Sequence, residues 1–321
     1  MERTAHKTND LTKLIISAAF ILVYLFHAGY SHAAEKITLL LSADRKPYTI
    51  ISDDIIRQLP ATTIESLVLP TDVSGHFKTP IRNSNLIIPL GSKACSYAHH
   101  NFPKNNVYCA LVTKNLTDNL QHHAIKKHSS LYINQPLSRY ITLAKSLHRK
   151  TEKIGYMVAA NNKSLISHIK SHDKSTGTKS VVITVNDKKE VLRKLKSLIR
   201  EADVLIALPD RRVYNRSTIK GVLLTTYRKK IPLIGFSNSY TKAGAVASLF
   251  TTPKQFSQQL IEEIKKWKHS KQLPQPSHPK YFDITVNKSV ARTLSIALPN
   301  TTDIKQRINE QESTTLKGES E

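Results

Sequence analysis

Apolar positions along this chain follow two periods in alternation. Lys36-Ile37-Thr38-Leu39-Leu40-Leu41-Ser42 is a short continuous apolar run closed by a polar residue, the pattern of a strand buried on both faces. Ile51, Ile55, Ile56 and Leu59 then recur at helical spacing. "TIESLVLP", "NLIIPL" and "NVYCALVT" read as further strands, the second passing through Gly91-Ser92 into a helix. The second half repeats the alternation more plainly. Strands at "KIGYMV", "KSVVITV", "ADVLIAL" and "IPLIGF" are separated by three helices. One carries Leu165, Ile166 and Ile169 on one side, the next Val191, Leu192, Leu195, Leu198 and Ile199 inward, and the third is "TIKGVLLTTYRKK". Strands alternating with helices predict parallel βαβ units, hence an α/β protein with doubly wound sheets.

"TPKQFSQQLIEEIKKW" is a helix by every local rule. Thr252 suits the N-cap and Pro253 the first helical position, and Phe256, Leu260, Ile264 and Trp267 share one face. A proline-rich passage, "QLPQPSHP", follows, and then "YFDITVNKSVARTLSIALP" as a strand and a helix. Two α/β sets with a piece left over predict two Rossmann-like lobes joined by a hinge. The expected division is 34–135 for the first lobe, completed by 246–300, with 136–245 as the second. The polar residues 301–321 are expected to form a tail without fixed structure. Parallel sheets bind ligands where strands end, so two facing lobes make a cleft that closes around a solute.

The first residues alter the picture. Arg3, Lys7 and Lys13 precede an apolar run from Leu14 to Phe26, and Ser31 and Ala33 stand at the small-residue positions of a cleavage site before Ala34. This is the layout of a secretory signal peptide over 1–33, and the run is short for a span of about 20 residues. Its removal takes away three basic and two acidic residues from a chain of formal charge +24, leaving +23. In an exported protein that balance argues against nucleic acid; most of the spread charge reads as solvated helix faces, and the remaining functional reading is attraction to anionic membrane surface, polyanions or anionic solutes. Cys95 and Cys109 are compatible with one disulfide in an oxidising compartment; the spacing does not by itself bring their Cα atoms together. The histidine pairs His99-His100 and His122-His123 are adjacent rather than at i, i+4 spacing, so no metal site is expected. The chain has neither GxSxG, HExxH, Walker A nor GxGxxG, and nine glycines in all; no catalytic residues and no cofactor are expected.

The candidate ligand residues lie where strands end. Ser42 closes the first strand. Asp210 follows the apolar run Val204–Leu208 at "ALPDRRVYN", and can either face a ligand or cap a turn. Arg211 and Arg212 can neutralise it or meet a ligand carboxylate. Tyr214 is a candidate stacking surface.

The stretch from Ala202 to Phe250, with "YFDITVNKSVARTLSIALP" and "LIIPLGSKAC", resembles the periplasmic solute-binding proteins of ABC-type importers. More narrowly, it resembles the tryptophan- and phenylalanine-binding-like subgroup. The resemblance implies a Venus-flytrap fold, a small ligand in the cleft and no catalysis. It implies a cleft-facing role for Asp210 against a ligand amino group, and contacts from Ser92, Thr113, Ser237 and Asn238. It also implies a periplasmic monomer working with an inner-membrane permease or, alternatively, a ligand-sensing module docked on a membrane sensor or uptake system, without a cognate permease. The chain departs from the family at Lys114-Asn115, where Asp-Pro is usual, so the family's ligand does not carry over.

Overall fold

The structure is a computed structural model and describes residues 35–70, 81–121, 124–147, 151–176, 178–298 and 300–318. The expected signal peptide lies outside the described residues.

The first lobe is built on a parallel sheet of order β2-β1-β3-β4-β5. Its strands are β1 (Lys36–Leu41), β2 (Thr63–Val68), β3 (Leu86–Leu90), β4 (Val107–Val112) and β5 (His128–Tyr132). β3, β4 and β5 are buried at every position, because helices cover both faces. β2, at the edge, is half-exposed. One face packs on α1 (Tyr48–Gln58), and the other on α2 (Ser92–Asn101). The short α3 (Lys114–Asn119) joins β4 to β5.

The second sheet has the order β11-β10-β9-β8-β6-β7. It follows α4 (Leu137–Leu147) and contains β6 (Lys153–Ala159), β7 (Lys179–Val185), β8 (Val204–Ile206), β9 (Leu233–Gly235), β10 (Ala247–Phe250) and β11 (Asp283–Val286), the last antiparallel to β10. Its crossover helices are α5 (Lys163–Thr176), α6 (Val191–Leu198), α7 (Ile219–Arg228) and α8 (Asn238–Ala243). Leu192, expected inward, is 41% exposed. Val191, Leu195 and Leu198 fill the inner face of α6, and Leu192 lies across Gly221 of α7 instead.

The lobe boundaries differ from those expected. β10 and β11 belong to the second sheet, and Phe282, Ile284, Ala291 and Ile296 join its core with Tyr140, Ile154 and Ile206. Only α9 (Pro253–Ser270) and the segment after it return to the first lobe. There Phe256, Leu260, Ile264 and Trp267 pack on Ile51 and Ile55 of α1. Thr252 and Gln255 form a full capping box at the start of α9. After α10 (Lys288–Thr293), the tail is helical rather than unstructured. Ile304 and Ile308 of α11 (Thr301–Gly318), four apart, are both buried in the second lobe's core.

Three crossings join the lobes, and hydrogen bonds lace them together. Gln135 Nε2 donates to Thr251 Oγ1 at 2.6 Å, and Thr251 Oγ1 donates to the Tyr281 carbonyl at 2.6 Å. Arg139, 5% exposed, donates to Gln135 Oε1 at 2.7 Å and to the Pro279 carbonyl at 2.8 Å. Its Nε and second terminal nitrogen take both oxygens of Glu312 in α11, at 2.6 and 2.8 Å. Arg139→Ala deprives Gln135 Oε1 and the Pro279 carbonyl of their donor and empties the space over the Phe282 ring, so it should cost about 3 kcal/mol in urea unfolding.

Cys95 of α2 and Cys109 of β4 are joined in a disulfide, with Cα atoms 5.5 Å apart, inside the core of the first lobe. Closing a loop of about 15 residues restricts the unfolded chain by about 3 kcal/mol. A Cys95→Ala, Cys109→Ala double variant should lose that much in urea melts, and the parent should lose it on reduction.

His128, on β5, is buried, and burial pushes its imidazole down to about 4, with His99 acting in the same direction. An unfolded histidine titrates at about 6.5. Below that value the unfolded chain gains a proton that the folded chain refuses. This contribution to stability is therefore whole above about pH 6.5 and falls by up to about 3 kcal/mol as the pH drops to about 4. Melts across that range should show the loss, and His128→Gln should remove the share that His128 contributes to it.

Candidate functional site

Loops at the carboxyl ends of the strands of both sheets converge beside the crossings. β4 ends at Thr113, whose hydroxyl accepts the Leu116 N–H at 3.3 Å and so starts α3. β5 leads to Asn134, whose side-chain oxygen accepts the Lys114 N–H at 3.1 Å. Across from them β6 leads to Asn162, which accepts the Leu165 N–H at 3.3 Å at the start of α5. β8 leads to Leu208 and Pro209. His278 reaches in from the segment after α9, its Nδ1 donating to the Asn134 carbonyl at 2.7 Å. These residues enclose a cavity of about 40 Å³ between the lobes.

A direct polar contact joins the lobes beside it. Ser164 Oγ of the second lobe donates to Asp118 Oδ2 of the first at 2.5 Å. Lys114 Nζ holds both oxygens of the same carboxylate at 2.9 Å. His168, on the next turn of α5, also lines the cavity. Burial holds the His168 imidazole below its ordinary value, with His172 and Lys114 adding to the effect. Burial does the same at His278, and among the charged groups around it His168, Arg139 and Lys114 all act in that direction. Among the described residues, no group of three or more His, Cys, Asp or Glu side chains is placed to hold a metal ion.

A larger cavity of about 1290 Å³ lies among α4, α11 and residues 295–298. None of its lining residues lies at the carboxyl end of a strand. In doubly wound sheets ligands bind at the carboxyl ends of strands, which favours the small inter-lobe cavity as the site.

Of the residues singled out from sequence, Thr113 lines this cavity. Asp210 stands beside Pro209, with its carboxylate engaged by the backbone. Oδ2 accepts the Ala159 N–H at 2.9 Å, and Oδ1 accepts the Arg212 N–H at 3.0 Å. The acid thus closes its own turn and ties the β8 loop to the end of β6. Arg211 and Arg212 are exposed, and no ion pair among the described residues joins either to Asp210.

Ser42 follows β1 and Ser92 follows β3, and Ser42 Oγ accepts the Ala94 N–H at 2.9 Å. Gly91 makes that corner possible. It has φ of 94°, and a Cβ there would come within 2.8 Å of Ser42 Oγ and 2.7 Å of the Tyr48 ring. Ser237 is the N-cap residue of α8, with Oγ 2.6 Å from that of Ser239, and Asn238 is exposed. Tyr214, expected as a stacking surface, is 5% exposed, with its ring edge-on to Phe236 in the second lobe's core. Neither Ser42, Ser92, Ser237, Asn238 nor Tyr214 lines the inter-lobe cavity.

Sequence reasoning missed Asn134, Asn162, Ser164, His168 and His278. Asn162, just ahead of a helical apolar pattern, carried a capping signal. Lys114 and Asp118 carried an i, i+4 charge pair. His278 sits in "PQPSHP", whose prolines read only as a break.

Solved structures share the architecture. A conserved domain protein from Vibrio cholerae aligns at 19% identity and a TM-score of 0.61, over 85% of this chain and 98% of its own. An ABC domain from Streptococcus pneumonia, in complex with L-Trp, aligns at 17% identity and 0.60, over 84% and 97%. The ligand-free, open structure of a substrate binding protein with adhesive properties from Clostridium difficile aligns at 17% and 0.66, over 83% and 96%. No curated protein matches the sequence. No described helix is long and apolar enough to cross a membrane. The two α/β lobes with parallel-dominated sheets are those of the periplasmic-binding-protein fold. The family model for ABC transporter substrate binding proteins matches residues 77–306, and the chain belongs to that family.

Proposed function

We propose that this protein is exported to the periplasm and binds a small polar or amino-acid-like solute between its lobes for an ABC-type import system. The observation that carries this reading is the cavity itself. Side chains from the strand ends of both lobes line it, and Ser164, one of them, reaches Asp118 of the other lobe. At about 40 Å³ it is far below the roughly 300–1,000 Å³ of sites that enclose a drug-sized ligand. A solute of more than a few atoms therefore enters by parting of the lobes about the three crossings and is held as they close. Affinity comes from the Asn134, Asn162, Thr113 and Ser164 groups, with Leu165 and Leu208 supplying apolar contact. Asp210 acts in support, fixing the β8 loop through backbone bonds. An amino-acid-like solute is in keeping with the L-Trp complex of the streptococcal domain. A membrane permease is the partner that the family implies. The Cys95–Cys109 disulfide suits an oxidising compartment and so supports export through residues 1–33.

The test is a thermal-shift screen of the mature chain against amino acids, nucleobases and small anions. A solute at a hundredfold excess over its Kd stabilises by about 2.7 kcal/mol, a rise of several degrees. Asn134→Ala should weaken that solute tenfold or more, while Asp187→Asn, remote from the cavity, should leave it unchanged. A silent screen, or equal effects of the two variants, would count against the cleft.

A further inference from the structure

The inter-lobe cavity is lined by no carboxylate. Asp118, the carboxylate bonded to two of the lining residues, is engaged by Lys114 and Ser164. Asp210, the acid expected to meet a cationic ligand, is committed to two backbone N–H groups. The ionisable groups that do line the cavity are Lys114, His168 and His278.

The chemistry of His278 is fixed by its neighbour. A carbonyl only accepts, so the ring nitrogen 2.7 Å from the Asn134 carbonyl is the one that carries hydrogen. The other nitrogen, Nε2, is then an acceptor in the neutral ring and becomes a donor only in the imidazolium. The ring is held in place edge-on to Tyr132, with centroids 5.3 Å apart. The charged neighbours that bear on His278 are His168, Arg139 and Lys114, and those on His168 are His172 and Lys114. Every one of these is a cation or becomes one. Lys114 and Arg139 already carry counter-charges in Asp118 and Glu312, so burial is what chiefly holds the two imidazoles neutral, with the neighbouring cations adding to it, and an anion placed between the rings stabilises their protonated form.

We propose that the cavity receives an anionic oxygen group of the solute, a carboxylate, sulfate or phosphate, and that its binding draws a proton onto His168 or His278. The proposal rests on the inter-lobe cavity being the solute site. It narrows the solute class to anions and makes capture stronger in acid.

Calorimetry and thermal shift with four probes test it: sulfate and L-lactate as anions of fixed charge, lactamide as a neutral control and ethanolamine as a cation. Sulfate or lactate should bind about tenfold more tightly at about pH 5.5 than at about pH 7.5, with lactamide and ethanolamine weaker at both. Titration in two buffers of different ionisation enthalpy should show net proton uptake by the unmodified protein, a readout that needs no variant to fold. His168→Gln and His278→Gln should each reduce that uptake and together abolish the pH dependence. Anion binding without proton uptake, or a preference for ethanolamine, overturns the proposal and leaves the cavity as the solute site. If these four fail while another solute from the wider screen binds, the anion proposal falls alone. If the whole screen is silent, the site falls with it.

Discussion

A buried guanidinium organises this molecule. Arg139 lies at the start of α4, where the chain has just left the first lobe, and its charge is too costly to bury alone. Glu312 neutralises it, Gln135 and the Pro279 carbonyl take both hydrogens of one terminal nitrogen, and its plane rests 4.4 Å over the Phe282 ring. Each partner comes from a different part of the chain: the first crossing, the third crossing, the second sheet's edge and the C-terminal helix. Thr251 of the second crossing joins through Gln135. Satisfying one charge thus gathers all the connections between the lobes in one place, and that decides which strand ends face each other.

What faces the cavity follows from that placement. Strand ends expose peptide groups that must find partners, and several polar side chains here serve that need. Ser42 serves Ala94, Thr113 serves Leu116, Asn162 serves Leu165, and Asp210 serves Ala159 and Arg212. A polar residue after a buried strand is therefore as much a piece of backbone carpentry as a ligand contact. Location then separates the two roles: Thr113 and Asn162 do this work at the cavity wall, and Ser42 and Asp210 do it away from it.

The fold was largely legible because its signals are local. Buried runs such as Leu39–Leu41, the capping box at Thr252 and the Phe256-Leu260-Ile264-Trp267 face need no tertiary information. Lobe membership was not legible, because "ASLF" and "DITV" have the same pattern whichever sheet they join; their pairing with each other and with β9 decides it. The last helix was not legible because Ile304, Ile308 and Leu316 alone interrupt a polar stretch, and two apolar residues four apart suffice when a groove already waits for them. The cavity's residues were hidden for a further reason. They come from five separate segments, and none is chemically unusual until folding places His168 beside His278.

The segment that supplies His278 also completes the first sheet. Ser277 N–H bonds to the Ser130 carbonyl and the Ser277 carbonyl accepts from Tyr132, so this stretch lies along β5 like a partial sixth strand. An otherwise open strand edge is thereby covered. The kinematic consequence is that His278, although it follows the whole second lobe in sequence, rides with the first. A rotation about the crossings carries Asn162, Ser164 and His168 as one body past Thr113, Asn134 and His278 as the other. The distance between the two imidazoles is then a natural coordinate for closure, and it can be followed without reference to any solute.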